Sequence, residues 1–245
     1  MLLKDKCCII TGAAGGIGLQ IATAFAQEGA KVALLDVQED KIKAEAAKLG
    51  GRPYVCDLRS VESIEKAFAA VLNDLKRIDV LVNCAGLANR TPIEDIVEEE
   101  WDLLCDVNLK GLFFASREAY RAMLKQGKGK IINISSTRGY MSDGRHVIYD
   151  STKAAVHAMT RTFAVAGGPK GIIANSISPA YVLTPMTRHN LDRKGWLESI
   201  VANIPIGRLM EMEEISNAAL YLASELSSGI NGHDLVVDGG WTASE

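Results

Sequence analysis

Short runs of consecutive apolar residues alternate along this chain with longer stretches whose apolar positions recur every three or four residues. Residues 6–10 (Lys-Cys-Cys-Ile-Ile) are the first such run and read as a buried strand. A glycine-rich turn follows, then a helical pattern over 17–28 that Gly29 ends. The alternation continues with strand 31–35, helix 39–49, strand 53–56, an amphipathic helix over 61–76 and strand 79–82. A long helical stretch over about 98–126, with room for an interruption, precedes strand 130–134. Helix 148–165, strand 172–177, helix 212–224 and strand 234–237 complete the series, and residues 185–203 read as a partly helical insert.

Strands that alternate with helices imply an α/β architecture, with a mainly parallel sheet and helices on both faces. Right-handed crossovers make such a sheet doubly wound, and its ligands bind beyond the carboxyl ends of the strands. The pattern has seven strands and no Pro/Ser-rich or charged linker, so residues 1–245 are expected to form one domain. The loops after strands one, two, four, five and six are therefore the places to look for chemistry.

Composition narrows the function classes. Thirty acidic side chains against 27 basic ones give a net charge of −3, which argues against a nucleic-acid partner. The five cysteines (Cys7, Cys8, Cys56, Cys84 and Cys105) are scattered, and none has metal-ligand spacing. Reduced, mostly buried thiols and no metal site are expected. The residues before the first strand lack the pattern of a signal peptide, so none is expected, and no apolar run approaches the ~20 residues that would span a bilayer. A cytoplasmic protein without membrane contact is expected.

The turn after the first strand reads Thr11-Gly12-Ala13-Ala14-Gly15-Gly16-Ile17-Gly18. Gly12 permits a sharp turn, Gly15 and Gly16 let backbone approach a pyrophosphate, Ile17 opens the helix, and Gly18 lets helix and strand pack closely. Asp36 ends the second strand 18 residues after Gly18, where an acid hydrogen-bonds the ribose 2′-hydroxyl of NAD. No Arg or Lys lies in the glycine loop or directly after Asp36, which favours NAD(H) over NADP(H). Asp57, followed by Leu58, either accepts from an adenine amino group or serves as a turn residue. Asn83-Cys84-Ala85-Gly86 after the fourth strand is small enough for backbone to run along a cofactor at Asn83, Ala85 and Gly86.

The fifth strand leads to Ser136, and Tyr149 and Lys153 follow at a four-residue spacing that puts both on one helix face. A Tyr hydroxyl titrates near ~10, too high for a good base near neutrality, and an ammonium group beside it would favour the phenolate. Ser136 could hold a substrate oxygen near that hydroxyl. Together the three suit proton transfer coupled to hydride transfer.

Over essentially its full length the chain resembles the classical short-chain dehydrogenase/reductases, whose domain is of Rossmann type. The segments that carry the resemblance are Thr11–Gly18, Asn83–Gly86, Asp106-Val107-Asn108, Asn133–Ser136, Tyr149–Lys153, Asn175–Thr184 and Asp238-Gly239-Gly240. The resemblance implies a catalytic Asn108 that holds a water in a proton relay from Lys153, and it brings Tyr149 and Lys153 against the cofactor. It also sets Pro179, Val182 and Thr184 near the nicotinamide and makes 185–203 a substrate lid. Ala180, Asn231 and Gly167-Gly168 depart from the usual family pattern, and the glycine pair should weaken the end of its helix.

For the substrate the residues offer Arg138, Arg145 and His146, between Ser136 and Tyr149. A bidentate Arg suits a carboxylate, phosphate or sulfonate. The expected activity is NAD-dependent oxidation or reduction of a secondary alcohol or ketone on a small polar compound: a polyol, sugar, sugar acid or other anionic hydroxy compound. Met186, His189, Asn190 and Trp196 of the insert are further candidates. The alternatives are a 3-oxoacyl-thioester-type or other carbonyl reductase, and a catalytically silent NAD-sensing protein of the same fold. By resemblance a homotetramer, or a homodimer, is expected.

Overall fold

The computed structural model describes residues 1–184, 187 and 195–244. The apolar runs form the strands β1 (Cys7–Thr11), β2 (Lys31–Asp36), β3 (Arg52–Val55), β4 (Val80–Asn83), β5 (Gly129–Ile134), β6 (Ile172–Pro179) and β7 (Asp234–Val237). They make one sheet in the order β3-β2-β1-β4-β5-β6-β7, and every pairing is parallel. The winding reverses between β1 and β4, which opens a crevice at their carboxyl ends.

The helices are α1 (Gly16–Gln27), α2 (Glu39–Leu49), α3 (Val61–Leu75), α4 (Glu98–Cys105), α5 (Leu112–Gln126), α6 (Val147–Gly167), α7 (Trp196–Val201) and α8 (Met212–Ala223). Alternate strand residues feed two cores. Cys8, Ile10, Val80, Val82, Ile132 and Ile134 pack with Ile21 and Phe25 of α1, Ile42 of α2 and Ile215 of α8. Ile9, Leu81 and Ile131 point the other way, onto Ile64 and Phe68 of α3 and Ala115 and Met123 of α5. The period of two in side-chain direction lets one continuous apolar run serve both faces.

Two places in the helices add detail to the sequence pattern. The stretch expected over 98–126 is broken by a π-helical turn at Asp106–Gly111, which sits between α4 and α5. Gly111 is tight there: a Cβ on it would lie 2.6 Å from the Leu58 carbonyl oxygen. The glycine pair does not end α6 early, for the helix runs to Gly167 and continues as a 3₁₀ turn over Gly168–Lys170. A Cβ at Gly167 would meet the Ile172 carbonyl oxygen at 2.9 Å, so the small residue lets α6 close onto the start of β6. Asn231 ties the same corner, donating to the Ala164 carbonyl and accepting from the Ala174 amide, each at 3.0 Å.

Candidate active site

A cavity of about 1250 Å³ opens above the carboxyl ends of the strands. It exceeds the usual span of small-molecule pockets, so a dinucleotide and a small second compound both fit.

At one end lies the turn from β1 to α1. Gly12 has φ of +68°, and a Cβ there would strike the Ala85 backbone at 2.7 Å. A Cβ on Gly18 would lie 2.2 Å from the Gly12 carbonyl oxygen. These two glycines let β1, β4 and α1 converge. Around Gly15 and Gly16, by contrast, there is open space within 4 Å of where a Cβ would sit. Helix α1 starts with no side-chain cap and no acid in its first turn, so its leading amides remain available to an anion. Thr11 Oγ1 accepts from the Cys84 and Ala85 amides at 3.1 and 3.3 Å, fixing the β4 loop against this turn.

Asp36 stands beside the turn. Its carboxylate accepts from the Ala14 amide at 3.2 Å and from the Gln38 amide at 3.0 Å, and it borders the cavity. Lys41 and Arg59 line the same end. The Arg59 guanidinium is engaged by Asp57, with Nη2 to Oδ2 at 2.6 Å, and that hydrogen bond holds the Asp57 carboxyl below its usual range. Asp57 also accepts from the Arg59 amide at 2.9 Å, as a turn residue does, while it and Leu58 face the cavity.

These features fit a dinucleotide: an open glycine cradle, a free helix N-terminus and a carboxylate beside them at the end of β2. Gly12, Gly15, Gly16, Ile17, Gly18, Asp36, Asp57, Leu58, Ala85, Gly86, Pro179, Val182 and Thr184 all line the cavity. Asn83 does not. It is buried within the sheet, where its Nδ2 donates to Ser116 Oγ at 2.8 Å and Asn133 Oδ1 at 2.9 Å.

The other end is built where β5 meets α6. Ser135 Oγ donates to the Lys153 carbonyl at 3.0 Å, and Lys153 Nζ donates to the Ile134 carbonyl at 2.8 Å. These bonds fix the end of β5 against α6, and Ser136 and Tyr149 line the same wall of the cavity. The Lys153 ammonium lies 5.5 Å from the centre of the Tyr149 ring. The charge balance differs from the simple expectation of an ammonium that lowers the phenol. Burial dominates and raises Tyr149 above its ordinary value; the Ser136 hydroxyl pulls it down, and the charges of Asp150 and Arg138 act in opposite directions, up and down. Burial also lowers Lys153 itself to about 8.

Asn108 lies in the π-helical turn, buried beneath this wall and outside the cavity lining. Its side chain is occupied by Leu87 and Thr152. Gly86 lies against both it and Lys153: a Cβ there would be 3.4 Å from Asn108 Oδ1 and 3.6 Å from Lys153 Nζ.

Of the three residues suggested for the substrate, Arg138 and His146 border the cavity, and Arg145 is exposed outside it. Arg138 is already committed. Its Nε and Nη2 donate to the two Asp150 oxygens at 2.9 Å each, and Nη2 also reaches Asp143 at 2.7 Å. It thereby clamps the loop carrying Ser136 to the first turn of α6. Asn89 and Arg90, which the sequence pattern does not single out, line the cavity beside His146. Trp196 packs edge-on against Tyr181, 5.7 Å between ring centres. Met186, His189, Asn190 and most of the expected lid lie outside the described residues. Among the described residues there is no cluster of metal-ligand side chains and no helix long and apolar enough to cross a membrane.

Comparison with known proteins agrees with this geometry. Residues 12–242 match the family model described as Enoyl-(Acyl carrier protein) reductase. The chain is 37% identical to a D-threitol dehydrogenase of Mycolicibacterium smegmatis, over 98% of this chain and 94% of the relative. It is 38% identical to an NAD-dependent glycerol dehydrogenase of Listeria innocua, over 98% and 95% of the two chains. Among solved structures it superposes on a gluconate 5-dehydrogenase from Burkholderia cenocepacia, in complex with NADP and tartrate, with a TM-score of 0.95. That match has 32% identity and covers 98% of this chain and 96% of the other.

Proposed function

Because the chain belongs to the classical short-chain dehydrogenase/reductase family, a family of nicotinamide-dependent oxidoreductases, we propose that it is an NAD-dependent dehydrogenase of a secondary alcohol on a small polyol, sugar or sugar acid. The observation that carries this reading is the convergence of Ser136, Tyr149 and Lys153 on a cavity whose far end is the glycine turn and Asp36.

In this reading the leading amides of α1 and the backbone at Gly12, Gly15, Gly16, Ile17 and Gly18 hold the pyrophosphate. Asp36 accepts from the ribose hydroxyls, and its negative charge opposes a 2′-phosphate. Asp57 and Leu58 border the adenine. Ala85 and Gly86 line the cofactor's path, with Asn83 bracing that loop through the sheet. Pro179, Val182 and Thr184 flank the nicotinamide. A bound NAD supplies the hydride acceptor.

Ser136 holds the substrate oxygen. Tyr149 removes its proton during oxidation and returns it during reduction. Lys153 stands behind Tyr149, and a proton leaving Tyr149 passes it toward a water at Asn108. The NADP-bound gluconate dehydrogenase is a reason to compare both cofactors; Asp36 and the NAD-dependent glycerol dehydrogenase favour NAD. We further propose assembly into a homotetramer or homodimer, which light scattering would test.

The direct assay is nicotinamide reduction by the purified protein with NAD or NADP against polyols, sugars and sugar acids. Turnover with NAD on one compound class is expected. Tight NAD binding without turnover in either direction would favour the catalytically silent reading instead.

A further inference from the structure

The cationic side chains around the cavity differ in what already occupies them. Arg59 is paired with Asp57, Arg138 with Asp143 and Asp150, and Lys153 donates to the Ile134 carbonyl. Lys41 lies at the Asp36 end and donates to Gln38. Arg90, on the loop after β4, has no carboxylate partner among the described residues. Its Nε donates to His146 Nε2 at 3.1 Å.

That bond fixes His146 as an acceptor at Nε2. Its Nδ1 lies 3.0 Å from an Asp143 oxygen and 3.2 Å from Arg138 Nη2, so the ring is held from both edges. His146 is the residue immediately before α6, so Arg90 is tethered next to the first turn, where Tyr149 sits. The tether uses one edge of the guanidinium. Nη1 and Nη2 have no hydrogen-bond partner among the described residues, and they form the fork that takes a carboxylate end-on.

The preceding residue supplies an independent observation. Asn89 is 9% exposed and borders the same cavity, yet neither its Oδ1 nor its Nδ2 has a hydrogen-bond partner among the described residues. Buried amides are normally satisfied, so an orphaned one at a cavity wall is open to a partner that enters the cavity. An amide offers a donor and an acceptor side by side, which matches a hydroxyl group.

We propose that Asn89 and Arg90 recognise the part of the substrate remote from the reacting carbon, and that the substrate is a polyhydroxy carboxylate. Arg90 takes the carboxylate through Nη1 and Nη2, and Asn89 takes a neighbouring hydroxyl. His146, held by Asp143, positions Arg90. Arg138, whose fork is filled by Asp150, does not take this part. The proposal rests on the dehydrogenase reading and deepens it, separating an aldonate-type substrate from an uncharged polyol.

The test uses matched pairs that differ in charge: D-gluconate with D-glucitol, and L-threonate with L-threitol. Turnover is measured with NAD on the wild type. Binding is measured by calorimetry on the NAD-loaded Y149F protein, in which turnover is blocked. Each carboxylate should be preferred over its polyol by at least tenfold in kcat/KM. R90A should lower that preference ten- to a hundredfold, mainly through KM, and R90K should restore part of it. N89A should weaken both members of a pair alike. NAD affinity reports whether each variant is folded.

Polyols used as well as the carboxylates, or a preference unmoved by both Arg90 variants, would overturn the inference and leave the dehydrogenase reading intact. Arg90-dependent gluconate binding without any oxidation would uphold the anion site and refute the dehydrogenase reading. Neither binding nor turnover on any of the four compounds would refute both.

Discussion

The side-chain amide of Asn108 grips the backbone of Leu87 at both ends: Oδ1 accepts from the Leu87 amide and Nδ2 donates to its carbonyl, each at 2.8 Å. The π-helical turn between α4 and α5 aims Asn108 at the β4 loop, as such turns often do at functional sites. Nδ2 also reaches Thr152 Oγ1 at 3.2 Å, joining the loop to the helix that carries Tyr149 and Lys153. Removing this buried grip strands two backbone groups. Asn108→Ala should cost about 2–3 kcal/mol and lower Tm by roughly 5–10 °C. A melting temperature within about 1 °C of wild type would mean that the loop is held by something else.

The glycine turn separates two roles that one substitution each can distinguish. A Cβ on Gly18 collides with the Gly12 carbonyl, whereas Gly15 is extended and faces open space. Gly18→Ala should lower the Tm of the cofactor-free protein. Gly15→Ala should leave that Tm alone and weaken NAD binding at least tenfold, because its methyl group enters the cavity. Thermal melts and NAD titrations of both variants check this. A Gly15→Ala protein with wild-type NAD affinity would remove the pyrophosphate from that position.

Asp36 should set cofactor choice. At an effective dielectric constant near ~20, two unit charges ~4 Å apart interact by about 4 kcal/mol, and partial exposure of the carboxylate reduces this. A tenfold change needs only about 1.4 kcal/mol. Asp36→Ser should therefore raise the ratio of NADP to NAD in kcat/KM by tenfold or more. An unchanged ratio would contradict a ribose role for this carboxylate.

Burial of Lys153 has a consequence for stability. Its folded value near 8 lies below the ~10.4 of an unfolded lysine. Between those limits the unfolded chain binds more protons, so this group makes stability rise as pH climbs from about 8 to about 10.4. Below about 8 its full penalty of about 3 kcal/mol stands. Lys153→Met lacks that penalty. Denaturant unfolding of both proteins from pH 7 to pH 10 should show wild type gaining on the variant by about 2–3 kcal/mol. A constant difference would show that Lys153 is well solvated in the folded protein.

Much of this was legible in the sequence. The run Cys7–Thr11, the turn to Gly18 and the placement of Asp36 follow from buried-strand patterning and glycine spacing, because local sterics dictate them. Ser136, Tyr149 and Lys153 were legible because their order along a strand and the next helix leaves few geometries. The π-helical turn was not: it inserts into a helical period without a composition signal of its own. Arg138 read as a free anion ligand because nothing in a linear sequence reveals that Asp150, twelve residues on, fills its fork. Asn89 and Arg90 sit on an irregular loop, where no periodicity marks which side chains face the cavity. Asn83 followed from its motif, but its side chain braces the sheet at Asn133.

In the proposed mechanism Tyr149 exchanges a proton with the substrate during hydride transfer. The most direct measurement is the turnover of the Tyr149→Phe protein with NAD and the best alcohol found, beside its NAD affinity. General acid–base catalysis contributes about 10²–10⁴-fold, so kcat should fall by at least a hundredfold while NAD still binds within a fewfold of wild type. A Phe variant that keeps kcat within tenfold of wild type would show that Tyr149 is not the acid–base group.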